Sequence, residues 1–119
     1  MTANEVLVVC PSPGAGDALA EILGSAWNVY PAQSVNEAVE HLAIRRTPVV
    51  ICESPLPDGN WKNLLGSVPN LIVTARAADE ALWAEVLNLG GYDVLAQPFD
   101  KGEVTRVVSS ASRRIPAAF

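Results

Sequence analysis

Val49-Val50-Ile51-Cys52-Glu53-Ser54-Pro55-Leu56-Pro57-Asp58-Gly59-Asn60-Trp61 is the stretch that decides the fold. Its first four residues form an unbroken, largely β-branched apolar run, as expected of a strand buried on both faces. Two prolines, an aspartate and a glycine then make a turn-rich loop, which opens onto a short helix near Trp61–Leu65. Strand, loop and helix make one βα unit, and the fold depends on whether that unit recurs.

It recurs in both directions. Upstream, Val6-Leu7-Val8-Val9-Cys10 is another continuous run. Pro11-Ser12-Pro13-Gly14 follows, and then Ala15, Leu19, Ile22 and Leu23 at helical spacing, ending at Gly24. Val29-Tyr30 reads as a short second strand. Ser34 with Glu37 is a capping-box pattern for a helix burying Val35, Ala38, Val39 and Leu42, closed by Arg45-Arg46 at its negative end. Downstream, Leu71-Ile72-Val73-Thr74 is a fourth strand, and 79–89 a helix stopped by Gly90-Gly91. Val94-Leu95-Ala96 is a fifth strand, halted by Gln97-Pro98. Asp100 and Glu103 then open a last helix with Val104, Val107, Val108 and Ala111 inward. Strands alternating with helices predict an α/β protein: a doubly wound, five-stranded parallel sheet of order 2-1-3-4-5 in a flavodoxin-like three-layer sandwich. No linker, repeat or low-complexity stretch interrupts it, so residues 1–119 read as a single domain.

Composition narrows the function classes. Thirteen acids against eight bases give a net charge of −5. That balance argues against nucleic acid as a partner, since such modules carry a basic stripe. No apolar run reaches the ~20 residues of a membrane helix. Met1-Thr2-Ala3-Asn4-Glu5 carries no cationic side chain and does not read as the start of a signal peptide. Cys10 and Cys52 each close an apolar run and lack CxxC spacing, so buried free thiols and a reduced, cytoplasmic location are expected.

In an open parallel sheet, ligands gather beyond the carboxyl ends of the strands. Those ends carry Cys10-Pro11-Ser12, Glu53, Thr74-Ala75 and Gln97-Pro98. Here the residues carry a resemblance. VVICESPLPDGNW is similar to the third strand and following loop of response-regulator receiver domains, LIVTAR to their fourth strand, and LNLGGYDVLAQPFD to the segment through their fifth strand. The resemblance covers nearly the whole chain.

It implies a signalling module of the two-component, phosphorelay class, not an enzyme, yet most matched site positions depart from the family pattern. An acidic pair that holds Mg²⁺ is replaced by Cys10 and Pro11, the phosphoacceptor aspartate by Glu53, and the lysine by Gln97. Thr74 matches the switch hydroxyl, while the switch aromatic matches Val94, with Tyr92 two positions earlier. Glu53 with Cys10 and Ser12 is a poor ligand set for an ion that demands octahedral oxygens. Without metal and lysine, the electrostatics of phosphoryl transfer are mostly gone. The expectation is a pseudo-receiver, with weak or absent Mg²⁺ binding and no other cofactor, acting through protein contacts. Its partner, or a second copy, would use the face of the fourth predicted helix, fifth strand and last helix.

Two readings of Glu53 stand. In one it imitates an activated site and hydrogen-bonds Thr74 or Gln97; in the other, plainer one it is a solvated strand-end carboxylate. Trp83 reads first as core, with Leu82, Val86 and Leu87, although the resemblance places it, like Val94, on the contact face. Trp61 reads as packing beside the loop, His41 as a surface residue, and Arg113-Arg114 as complements to a helix dipole. Two alternatives remain: a phospho-accepting receiver that tolerates its substitutions, and a small flavin- or nucleotide-binding protein. In the latter, Ser12, Gly14 and Gly16 would cradle phosphate through backbone amides. Gly14-Ala15-Gly16 is otherwise a turn into the first helix. The Gln97-Pro98 bond is left open by the residues, and the resemblance implies cis.

Overall fold

A computed structural model describes residues 4–114, so the reading of Met1–Ala3 and the ends of the 1–119 domain lie outside the described residues. The elements are β1 (Glu5–Val9), α1 (Pro13–Leu23), β2 (Asn28–Ala32), α2 (Val35–Ile44), β3 (Val49–Glu53), β4 (Asn70–Ala75), α3 (Glu80–Asn88), β5 (Asp93–Ala96) and α4 (Lys101–Arg113). The strands form one parallel sheet in the order β2-β1-β3-β4-β5. Its two faces carry separate cores. Val6, Val8, Ile51, Ile72 and Leu95 pack beneath α1 and α4, and Leu7, Val9, Val50, Leu71 and Val73 beneath α2, α3 and Trp61. Continuous apolar runs are thus explained by burial on both sides.

Helix ends follow local chemistry. Asp79 accepts a hydrogen bond from the Leu82 amide at 2.9 Å, and Asp100 from the Glu103 amide at 2.8 Å. Ser34 accepts from the Glu37 amide at 3.1 Å, while the Glu37 carboxylate reaches back to the Gln33 amide instead of the Ser34 amide. α3 stops where Gly90 takes φ +100°, a conformation that Cβ-bearing residues avoid. On α4, Val104, Val107, Val108 and Ala111 are all buried, as their spacing predicts.

Several expectations are corrected. The third helix is a single 3-10 turn, Trp61–Leu64; Asn60 and Asn63 cap it reciprocally, and Gly66 and Pro69 leave no room for propagation. Gly14 and Gly16 lie within α1, not in a turn before it. Val39 is exposed, because Val35, Ala38 and Leu42 already form the inward stripe and Val39 lies one step round the helix. His41 is no free surface residue: its Nε2 lies 3.0 Å from the Thr47 hydroxyl, and its ring sits 5.1 Å from that of Tyr30. Arg45, beyond the end of α2, pairs with Glu5 at 2.9 Å and covers the Tyr30 ring. Trp83 is 42% exposed, because Leu82 and Val86 already fill the inward stripe of α3. Val94, by contrast, is 2% exposed. Its short side chain stays beside Val86 in the core and does not reach the contact face.

Two hydrogen bonds tie the loop after β3 to α2. Asp58 accepts from the amides of Val35 at 2.8 Å and Asn36 at 3.0 Å, and these bonds hold its carboxyl below the ordinary 3.8. Burial and the charge of Arg45 hold His41 below its ordinary 6.5. Both groups have folded pKa values below their unfolded ones, so their stability contribution is present above the unfolded pKa and lost as pH falls through the folded one. Acid titration of the melting temperature should therefore show a decline starting below about pH 6.5, from His41, and a second below about pH 4, from Asp58. His41→Gln should remove the first and Asp58→Ala the second; unchanged profiles would contradict the assignment.

Candidate functional site

The parallel register sets the carboxyl ends of β1, β3, β4 and β5 side by side, with Glu53 directly opposite Thr74. Glu53 is 9% exposed, so its carboxylate is not the solvated group of the plainer reading. The Ser12 hydroxyl donates to it, 2.8 Å from Oε1 and 3.0 Å from Oε2. The Gln97 amide, at the end of β5, reaches Glu53 Oε2 at 3.3 Å and the buried Thr74 hydroxyl at 3.5 Å. Glu53 makes no direct bond to Thr74 among the described residues; Gln97 is the bridge. One carboxylate thus gathers side chains from two other strand ends directly, and Thr74 from a third through Gln97.

Ser12 is the member that sequence reasoning underrated. It stands at the N-cap of α1, where a serine oxygen ordinarily accepts from the helix amides, but it makes no such cap. Its hydroxyl is turned to Glu53 instead. The strand-end position of Ser12 was a signal for this contact, since β1 and β3 are neighbours. Arg76, two residues past Thr74, was overlooked altogether. It is exposed, makes no hydrogen bond or ion pair among the described residues, and lines a crevice of about 510 Å³ with Ser12, Glu53, Pro11, Pro55 and Leu82.

Cys10 and Cys52 are buried free thiols, as expected. Burial first, then the charge of Glu53, pushes the Cys10 thiol up to about 12. Burial likewise pushes Cys52 up to about 12. Both are neutral at physiological pH, and they belong to the cores on opposite faces of the sheet, which puts a disulfide between them out of reach.

The receiver resemblance implies Mg²⁺, which can be tested against these donors. Cys10 offers a protonated thiol, Pro11 no side-chain ligand, and Gln97 occupies one of the Glu53 oxygens. The remaining hydroxyl and carboxylate do not make the oxygen-rich octahedron that Mg²⁺ requires. The residues do not fit the ion. The Gln97-Pro98 bond is cis, as is Ser54-Pro55, which the sequence reading did not anticipate.

No family model matches the chain. It is 27% identical over 97 residues to the KDP operon transcriptional regulatory protein KdpE of Escherichia coli (strain K12), covering 76% of this chain and 43% of that regulator. The chain therefore spans less than half of that relative's length. A putative response regulator from Chloroflexus aurantiacus J-10-fl superposes with a TM-score of 0.85 at 22% identity, covering 93% of this chain and 98% of that one. The beryllofluoride-activated NtrC4 receiver domain dimer gives 0.84 at 21% identity, covering 92% and 97%. The five-stranded parallel sheet of order 2-1-3-4-5 with helices on both faces is the fold shared with these neighbours. In fold, this chain is similar to the response-regulator receiver domains, and in sequence it is similar to part of one response regulator.

Proposed function

We propose that the chain is a receiver-type module of two-component signalling that acts by protein contact without accepting a phosphoryl group. The observation that carries the reading is the engagement of Glu53 by Ser12 and Gln97 where an acceptor aspartate would stand. Glutamate is one methylene longer than aspartate, and a shift of about 1 Å at the reacting atom is enough to spoil in-line attack. A neutral thiol and a proline stand where two acids would hold a metal ion, and an amide where a lysine would join that ion in neutralising the transferring group. Through Gln97, Glu53 holds the Thr74 hydroxyl in one arrangement, so the site is fixed and does not switch.

A protein contact is supported by α3. Trp83 and Leu87 lie one turn apart and are 42% and 48% exposed, which gives an aromatic anchor beside an aliphatic one. A dimer is among the neighbours of this fold. Among the described residues no helix is long and apolar enough to cross a membrane, and the free thiols accord with a reduced, cytoplasmic setting. The flavin or nucleotide reading is disfavoured, since a phosphate at the start of α1 would meet the Glu53 carboxylate that Ser12 already holds.

Intact mass after incubation with acetyl phosphate and Mg²⁺ tests this reading. The expected result is an unmodified protein; a gain of one phosphoryl group, mapped to Glu53, would contradict it. Trp83→Ala should change stability by about 1 kcal/mol or less while abolishing capture of the partner. Unchanged capture would remove α3 from the contact face.

A further inference from the structure

Glu53 is buried with no cation beside it. Among the described residues it forms no ion pair, and its donors are all neutral: the hydroxyl and, at 3.5 Å, the backbone amide of Ser12, and the Gln97 side-chain amide. A carboxylate can accept about four hydrogen bonds. One hydroxyl proton shared between two oxygens and two long contacts, from the Ser12 amide at 3.5 Å and the Gln97 amide at 3.3 Å, make three donors and leave one acceptor position open. Buried charges are ordinarily paired. The carboxylate borders the 510 Å³ crevice, and Arg76, the unpaired guanidinium, lines the same crevice. Pro11, Pro55 and Leu82 supply apolar wall to the same crevice. The volume falls within the roughly 300–1,000 Å³ of small-molecule sites.

The geometry points to a binding site for a free α-amino acid with an apolar side chain. Its ammonium group pairs with Glu53, its carboxylate with Arg76, and its side chain lies along Pro11, Pro55 and Leu82. A simple cation would be repelled by Arg76 and a simple anion by Glu53, so the two opposite charges in one crevice select a zwitterion. Charged hydrogen bonds of this kind are worth about 1.5–3 kcal/mol each, so losing either should weaken binding at least about tenfold. Occupancy would fill the open acceptor position of Glu53 with its bonds to Ser12 and Gln97 kept, giving the site a small-molecule ligand independent of phosphorylation.

Thermal shift and calorimetric titration test this with leucine, valine and methionine as probes. Each probe is set beside two truncated relatives of leucine: leucinamide, which lacks the carboxylate, and 4-methylpentanoate, which lacks the ammonium group. The expected result is a melting temperature that rises with amino-acid concentration. Both truncated compounds should bind at least about tenfold more weakly than leucine, and Glu53→Gln and Arg76→Ala should each weaken leucine binding by a similar factor. Arg76 is exposed, so its variant separates loss of binding from loss of folding. No stabilisation by any of the three amino acids overturns the proposal. So does a truncated compound that binds as well as leucine, or leucine binding that survives either substitution. None of these outcomes depends on whether Glu53 accepts a phosphoryl group, which the mass measurement decides separately.

Discussion

Trp61→Ala is expected to lower stability by about 3–5 kcal/mol, the range for emptying a buried aromatic site. Trp61 is 2% exposed and packs with Leu7, Val9, Val50 and Leu64 beneath the loop that follows β3. Lys62, stacked over its ring, also pairs with Glu85 of α3, so the 3-10 turn is anchored from both sides. A domain of this size has a total stability of about 5–15 kcal/mol, so the loss takes a large share of it. At roughly 4 °C per kcal/mol, the melting temperature should fall by about 12–20 °C. Trp83→Ala, with its ring half out of the protein, sets the contrast. Equal losses from the two substitutions, measured by urea unfolding, would contradict the division into a structural and a surface tryptophan.

Asn70→Ala is the second large effect, expected at about 3 kcal/mol from the carbonyls it leaves short of a donor. Asn70 opens β4 and is fully buried. The two protons of its side-chain amide are shared among the carbonyls of Pro48, Ala111 and Arg114 at 3.2, 3.0 and 2.7 Å. These bonds pin the last turn of α4 to the amino-terminal edge of the sheet. Its own Oδ1 is buried without a partner, so removing the side chain also relieves one unsatisfied acceptor, which keeps the loss below the sum of three bonds. Asn70→Asp should cost more than Asn70→Ala, because a carboxylate cannot donate and would face three carbonyl oxygens. Amide exchange would show the effect locally, with faster exchange in the last turn of α4. A cost under 1 kcal/mol for both variants would refute the tether.

The sheet was legible because doubly buried strands have a plain signature. The runs Val6–Cys10, Val49–Cys52 and Leu71–Thr74 each fall within a residue or two of the observed strands. The four longer helices were legible from their caps and spacing. Depth of burial was less readable, because periodicity names a stripe without saying how wide a stripe the sheet covers. Trp83 and Val39 lie one step beyond the covered part of α3 and α2 and stay exposed. Val94 failed for the opposite reason: its position was transferred from a resemblance in which an aromatic stands there, and a valine is too short to leave the core.

The site divides in the same way. Its location followed from topology, since strand ends converge wherever a parallel sheet is doubly wound. The partners of Glu53 depended on side-chain reach across three strands, which spacing along the chain does not encode. Ser12 lies 41 residues from Glu53 and Gln97 lies 44 residues away. Arg76 reaches the crevice only because β4 ends just before it. The nine acids from Asp17 to Glu103 that belong to helices or their caps leave the crevice with one carboxylate, Glu53. The surplus of acid in the composition is therefore peripheral.

Addition of beryllofluoride with Mg²⁺, followed by amide chemical shifts, is the most direct test of the claim that this site is fixed and takes no phosphoryl group. It demands metal binding and acceptor geometry together, and it reads an equilibrium, so slow chemistry cannot mask the answer. The account predicts that the amides of Ser12, Glu53, Thr74 and Gln97 keep their positions at saturating reagent. A concerted shift of these amides, dependent on both Mg²⁺ and beryllofluoride and lost in Glu53→Gln, would contradict it.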